Sequence, residues 1–168
     1  TYPPELRDEL AAHVDGYRFD VDADALKVGD LEAFAADAFD LQRIQTAETL
    51  YMLDHKPWDL LWVMFHTLDK VQHFFWHLMD PKHPAYPGPN EFEDVILRFH
   101  QRLDETLAAI LQRLDDDTSL LVMSDHGSCR LESYFLIMNW LEDTGFLRMK
   151  GATRSPSSSG EPPREQHA

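Results

Sequence analysis

Cysteine is all but missing from this chain. Cys129 stands alone among 168 residues, so no internal disulfide can form and nothing points to an oxidising compartment. Cations are also scarce. With 15 Lys and Arg against 30 Asp and Glu, the formal charge is −15, which works against the clustered basic surface that bulk nucleic-acid binding needs. No apolar stretch reaches the roughly 18 residues of a membrane span, and no charged, apolar, small-residue order marks a signal peptide, so the chain reads as soluble, with a cytoplasmic location as the default expectation. What is present is apolar mass. A hydrophobic content of 43%, with 11% aromatics, suffices for the core of one domain. An acidic protein can still handle a phosphate ester where bound cations reverse the local field, so the charge leaves a metal site open.

The hydrophobic pattern divides the chain. Residues 5 to 14, "ELRDELAAHV", have helical spacing, and a turn-rich connection follows. A long amphipathic helix is predicted over "LEAFAADAFDLQRIQTAETLYMLDHK", with Leu31, Phe34, Ala38, Leu41, Ile44 and Leu50 on one face and Pro57 closing it. "WDLLWVMF" is then a nearly unbroken apolar run of strand length, and "SLLVMS" is a second, each of the kind found in strands covered on both faces. Between them lie a helical stretch ending at Pro81, a proline-rich loop, and a helix with Phe92, Val95, Ile96, Phe99, Leu103, Leu107, Ile110 and Leu114 on one face. The run Asp115 to Asp117 reads as a solvated turn. Strand, helices, strand is the grammar of a parallel crossover, so the expectation is an α/β fold with a parallel-sheet core and flanking helices over residues 1–150. A further helix ending near Gly145 completes it. The segment from 151 to 168, rich in Ser, Pro and Gly, is expected to be a disordered tail.

Two Asp/His couples could do chemistry. Asp69 and His73 are four apart at the start of the helix after the first apolar run, which puts both side chains on one helical face, as two neighbouring metal ligands require. Asp125 and His126 are adjacent, directly behind the second run. Asp54 and His55 form the same dipeptide at the end of a surface helix, a control that reads as a cap or solvated surface. The favoured couples differ from the control in placement, because open α/β sheets bind ligands along the carboxyl edge of their strands. Gly127 would let the backbone turn beside bound groups, His66 and Thr67 are candidates to line the pocket, and Lys70 and Arg130 could meet a phosphate. The bland alternatives remain for each: aspartates cap helices, histidines pack, and cations sit in solvent. His77 among Phe74, Phe75 and Trp76 reads as packing, and Cys129 as an inert thiol with no base identified for it.

With "PWDLLWVMFHTLDKVQHFFWHLMDPKHP" and "TSLLVMSDHGSCRLESYFLIMNWLEDTGFL" in view, the chain resembles the type I phosphodiesterase/nucleotide pyrophosphatase family of the alkaline phosphatase superfamily, from about Glu5 to Lys150. The resemblance implies two divalent ions, usually zinc with manganese as the alternative, at the carboxyl edge of a sheet. Asp69 and His73 would bind one, and Asp125 and His126 the other, for the hydrolysis of a small phosphoric ester at a phosphodiester or pyrophosphate bond. The family pattern also has an earlier strand with another aspartate, a threonine or serine nucleophile at a helix start, and a later histidine. None of the three is recognisable here. The catalytic nucleophile is therefore unassigned, each metal has two recognisable ligands, and the chain reads as the central to C-terminal part of an incomplete, truncated alkaline-phosphatase-like domain carrying about half of the site. Two functional expectations follow: a two-metal hydrolase, or an inactive relative that serves as a binding module. An open sheet edge on such a domain would invite self-association.

Overall fold

Helix formation follows local signals. The computed structural model describes residues 3–22, 24, 29–131, 133, 135–148 and 150. Helix α1 (Pro4–His13) begins with proline at its first position, where a missing N–H costs nothing. Helix α2 (Leu31–His55) is capped by Asp30, whose carboxylate accepts the Ala33 N–H at 2.9 Å, and it stops at Lys56 ahead of Pro57. Helix α3 (Thr67–Met79) follows, then α4 (Val95–Leu111) and the short α5 (Ile137–Asp143). Gly145, at φ +80°, terminates α5. Its N–H reaches the Glu142 carbonyl at 3.1 Å and the Phe146 N–H reaches that of Leu141 at 2.9 Å, the paired bonds that close a helix through a left-handed residue.

Helices α2, α3 and α4 pack against one another around one core of Phe34, Ala35, Ala38, Val71, Phe75, Leu78, Val95, Ile96 and Phe99. The stripe on α2 recurs at three- and four-residue intervals, so one face is buried along several turns. Phe34 and Phe75 stack with ring centroids 6.1 Å apart, and each fully buried ring contributes roughly 2–3 kcal/mol of burial. Polar groups enter this interface as well: Thr46 meets Thr106 at 2.8 Å, and the Gln42 amide donates to the Phe99 carbonyl at 3.4 Å while its Oε1 is buried with no partner among the described residues. Helix α1 docks separately, with Leu10 and Val14 against Ile44 of α2 and Glu9 accepting from Tyr51 at 2.6 Å and Lys56 at 2.5 Å. The proline-rich loop is pinned at Asn90, whose amide donates to the Leu78 carbonyl at 2.8 Å.

The expected parallel sheet is not formed. Among the described residues there is no strand, and the fold is helical, so the α/β assignment is corrected. Both runs assigned to strands, 58–65 and 119–124, are irregular and form no ladder with any described residue. Leu60 is 79% exposed, Trp62 72%, Leu121 75% and Val122 69%. An apolar run of strand length supplies side chains for a core. It does not supply the neighbouring strands whose N–H and C=O groups must complete its own. Among the described residues there is therefore no sheet edge of the kind expected to invite self-association. The tail expected to be disordered, 151–168, lies outside the described residues. No helix among those described is long and apolar enough to cross a membrane.

Candidate functional site

The first turn of α3 is held from below. Thr67 is buried, and the α2 side chain Gln45 reaches both Thr67 and His66, the residue preceding the helix. From this anchored start Asp69 and His73 project one turn apart, and their Oδ1 and Nε2 atoms lie 3.4 Å from each other. In the second couple, Asp125 Oδ2 and His126 Nε2 are also 3.4 Å apart. All four side chains open to solvent, with 48 to 86% of each exposed. The His126 Nδ1 lies 3.2 Å from the Gly127 carbonyl, which can only accept, so Nδ1 donates there and Nε2 faces the Asp125 carboxylate.

Two cross-links lay the segment from 124 to 131 along α3. The Ser128 hydroxyl donates to Gln72 Oε1 at 2.6 Å, beside His73, and Arg130 donates to Asp80 at 3.3 Å. Asp80 is held below the usual carboxylate range by the Lys82 backbone N–H and by Arg130. The two couples thus belong to elements that run side by side, although more than fifty positions separate them in sequence. They remain two couples: among the described residues no group of three or more His, Cys, Asp and Glu side chains is gathered as a metal would require. Neither of two shallow grooves between α2 and α4, lined by Phe39, Arg98 and Arg102 and by Gln42, Arg43 and Thr106, includes Asp69, His73, Asp125 or His126.

The remaining sequence candidates are placed as follows. Lys70 pairs with Asp20 instead of standing open to a ligand, and Arg130 is engaged by Asp80. Gly127 does not meet the conformational demand expected of it. Its φ is outside the left-handed region, and a Cβ added there would touch nothing within 4 Å. Cys129 is exposed. His77 does not extend the Asp69–His73 stripe; its ring lies 5.9 Å from that of His83, and burial, reinforced by His83, lowers its pKa. The control couple behaves as a surface pair, with both Asp54 oxygens accepting from Arg113 Nε at 3.1 Å. Gln45, Gln72 and Ser128 went unnoticed in the sequence because their roles arise only from partners 21 and 56 positions away.

The donor set suits a borderline divalent ion. Two ligands of a tetrahedral site with bonds of roughly 2.0–2.1 Å stand about 3.4 Å apart, and each couple already holds one carboxylate oxygen and one imidazole nitrogen at that separation. No curated protein and no solved structure matches the chain. A family model does match, over residues 1–165, and covers both couples. The chain belongs to the type I phosphodiesterase / nucleotide pyrophosphatase family, whose chemistry is the hydrolysis of phosphoric esters.

Proposed function

We propose that Asp69 with His73, and Asp125 with His126, each hold one divalent ion, zinc or manganese, for the hydrolysis of a small phosphoric ester. The observation that carries this reading is that each couple holds one carboxylate oxygen and one imidazole nitrogen 3.4 Å apart, the spacing of two ligands on one tetrahedral ion. Two such ions, when bound, neutralise phosphate charge and acidify the attacking oxygen. The chain's own contribution is positional. The Gly127 carbonyl accepts from His126 Nδ1, and the Ser128 hydroxyl ties the segment just after the second couple to Gln72 on the helix that bears the first. His66 and Thr67 support the start of that helix, and Arg130 fastens the segment after Asp125.

One observation favours the competing reading of a member that binds without turnover. Each couple offers two ligands where a catalytic zinc site takes three, and no third joins them among the described residues. Titration calorimetry with zinc and manganese on the full chain tests the metal reading. His73→Ala and Asp125→Ala should each remove one binding event, and Asp54→Ala should remove none. Equal metal content in all four proteins would end it. A chromogenic phosphodiester then separates the two functions: turnover abolished by Asp125→Ala supports hydrolysis, and saturated metal sites without turnover support the binding module.

A further inference from the structure

A buried amide side chain is costly unless its hydrogen bonds are made. Gln45 is such a group: 8% exposed on α2, next to the core residue Ile44. Its Oε1 accepts from the Thr67 hydroxyl at 3.3 Å, and its Nε2 lies 3.2 Å from His66 Nδ1. Those two contacts fix the proton inventory. With Oε1 taken by a hydroxyl donor, Nε2 must donate to Nδ1, and the neutral His66 ring then carries its proton on Nε2. That atom is buried, has no hydrogen-bond partner among the described residues, and lies 3.6 Å from Asp20 Oδ1, with Phe19 stacked on the ring at 5.7 Å. Asp20 in turn pairs with Lys70, the residue after Asp69. Thr67, Gln45, His66, Asp20 and Lys70 therefore form a chain of polar contacts along the first turn of α3, the turn that carries Asp69.

We infer that Gln45 is a positioning residue: by holding Thr67 and fixing the Nε2–H tautomer of His66, it sets the direction in which α3 presents Asp69. An amide is needed because one carbon must offer an acceptor to the hydroxyl and a donor to the imidazole. A carboxylate offers only acceptors. Gln45→Glu keeps the Thr67 bond but can bond to His66 only if the ring proton moves to Nδ1, which turns the Nε2 lone pair onto Asp20. Gln45→Met keeps the volume and removes both bonds.

The test reads the His66 ring by long-range 1H–15N correlation in its neutral state, beside zinc affinity by calorimetry and helicity by circular dichroism. Wild type should show Nε2–H, and Gln45→Glu should show Nδ1–H, a reversal that loosened packing alone does not produce. Gln45→Met should keep its helicity and lose roughly tenfold in zinc affinity, the usual effect of removing a supporting contact behind a ligand. An Nδ1–H ring in wild type, or an unchanged tautomer in Gln45→Glu, would overturn the assignment. So would wild-type zinc affinity in Gln45→Met when His73→Ala has lost it. The affinity consequence depends on the two-couple reading above and the tautomer does not: if wild type binds no zinc, that reading fails and the Gln45→Glu comparison alone upholds or overturns the role of Gln45.

Discussion

The same substitution at two leucines should have opposite consequences. Leu78 on α3 is 6% exposed and belongs to the three-helix core, so Leu78→Ala removes buried methyl groups and leaves a cavity, at a cost of about 2–5 kcal/mol. Leu121 is 75% exposed. Only about a quarter of its surface is out of water, and at about 25 cal/mol per Å² the lost burial in Leu121→Ala amounts to about 0.5 kcal/mol. Against a typical net stability of roughly 5–15 kcal/mol the first change is severe and the second close to silent. Urea unfolding of the full chain followed by far-UV circular dichroism reads both, provided the transitions share one slope. A thermal scan should place the Leu78→Ala midpoint several degrees lower, at roughly 2–4 °C per kcal/mol for a chain of this size. Equal losses at the two leucines would refute the fold described, because residues 119–124 would then be buried in solution.

Two more outcomes follow from local geometry. Gly16 sits at φ +73° after α1, and a Cβ there would lie 3.5 Å from Ile44 Cδ1, so Gly16→Ala should cost about 1–2 kcal/mol in the same urea assay, mostly from left-handed backbone strain. His77 has its pKa lowered from 6.5 by burial and by His83, so the unfolded chain binds its proton more readily than the folded one. That contribution to stability is fully present above about pH 6.5 and is lost as the pH falls through the folded value. His77→Gln should flatten the urea midpoint across that window, and an unchanged slope would show that other groups set it.

What could be read in advance was what a segment decides by itself. The helices at Leu31–His55, Thr67–Met79 and Val95–Leu111 close their hydrogen bonds within a few residues, so apolar spacing and stops such as Pro57 and Pro81 announce them. The Asp69–His73 couple was equally legible, since a separation of four fixes its geometry on any helix. The apolar runs at 58–65 and 119–124 were misread for the complementary reason: their composition suits a strand, but a strand exists only with neighbours, and composition is silent about those. Their exposure here is a property of the whole chain and not of either run.

The same distinction separates the candidate ligands from what supports them. An imidazole beside a carboxylate binds a metal usefully only if its tautomer and direction are fixed, and those are set by groups behind it. At His126 the fixing group is the next carbonyl in the chain, within reach of a local reading. At the first couple the supporting contacts are those of Gln45 with His66 and Thr67 and of Asp20 with Lys70, brought in by α2 and the segment before it, and no motif in the vicinity of Asp69 names them. Substitutions around the second couple should therefore act locally, while the first couple depends on how α2 and α3 pack. It follows that Leu78→Ala, by loosening α3, should weaken metal binding at Asp69 and His73 more than at Asp125 and His126.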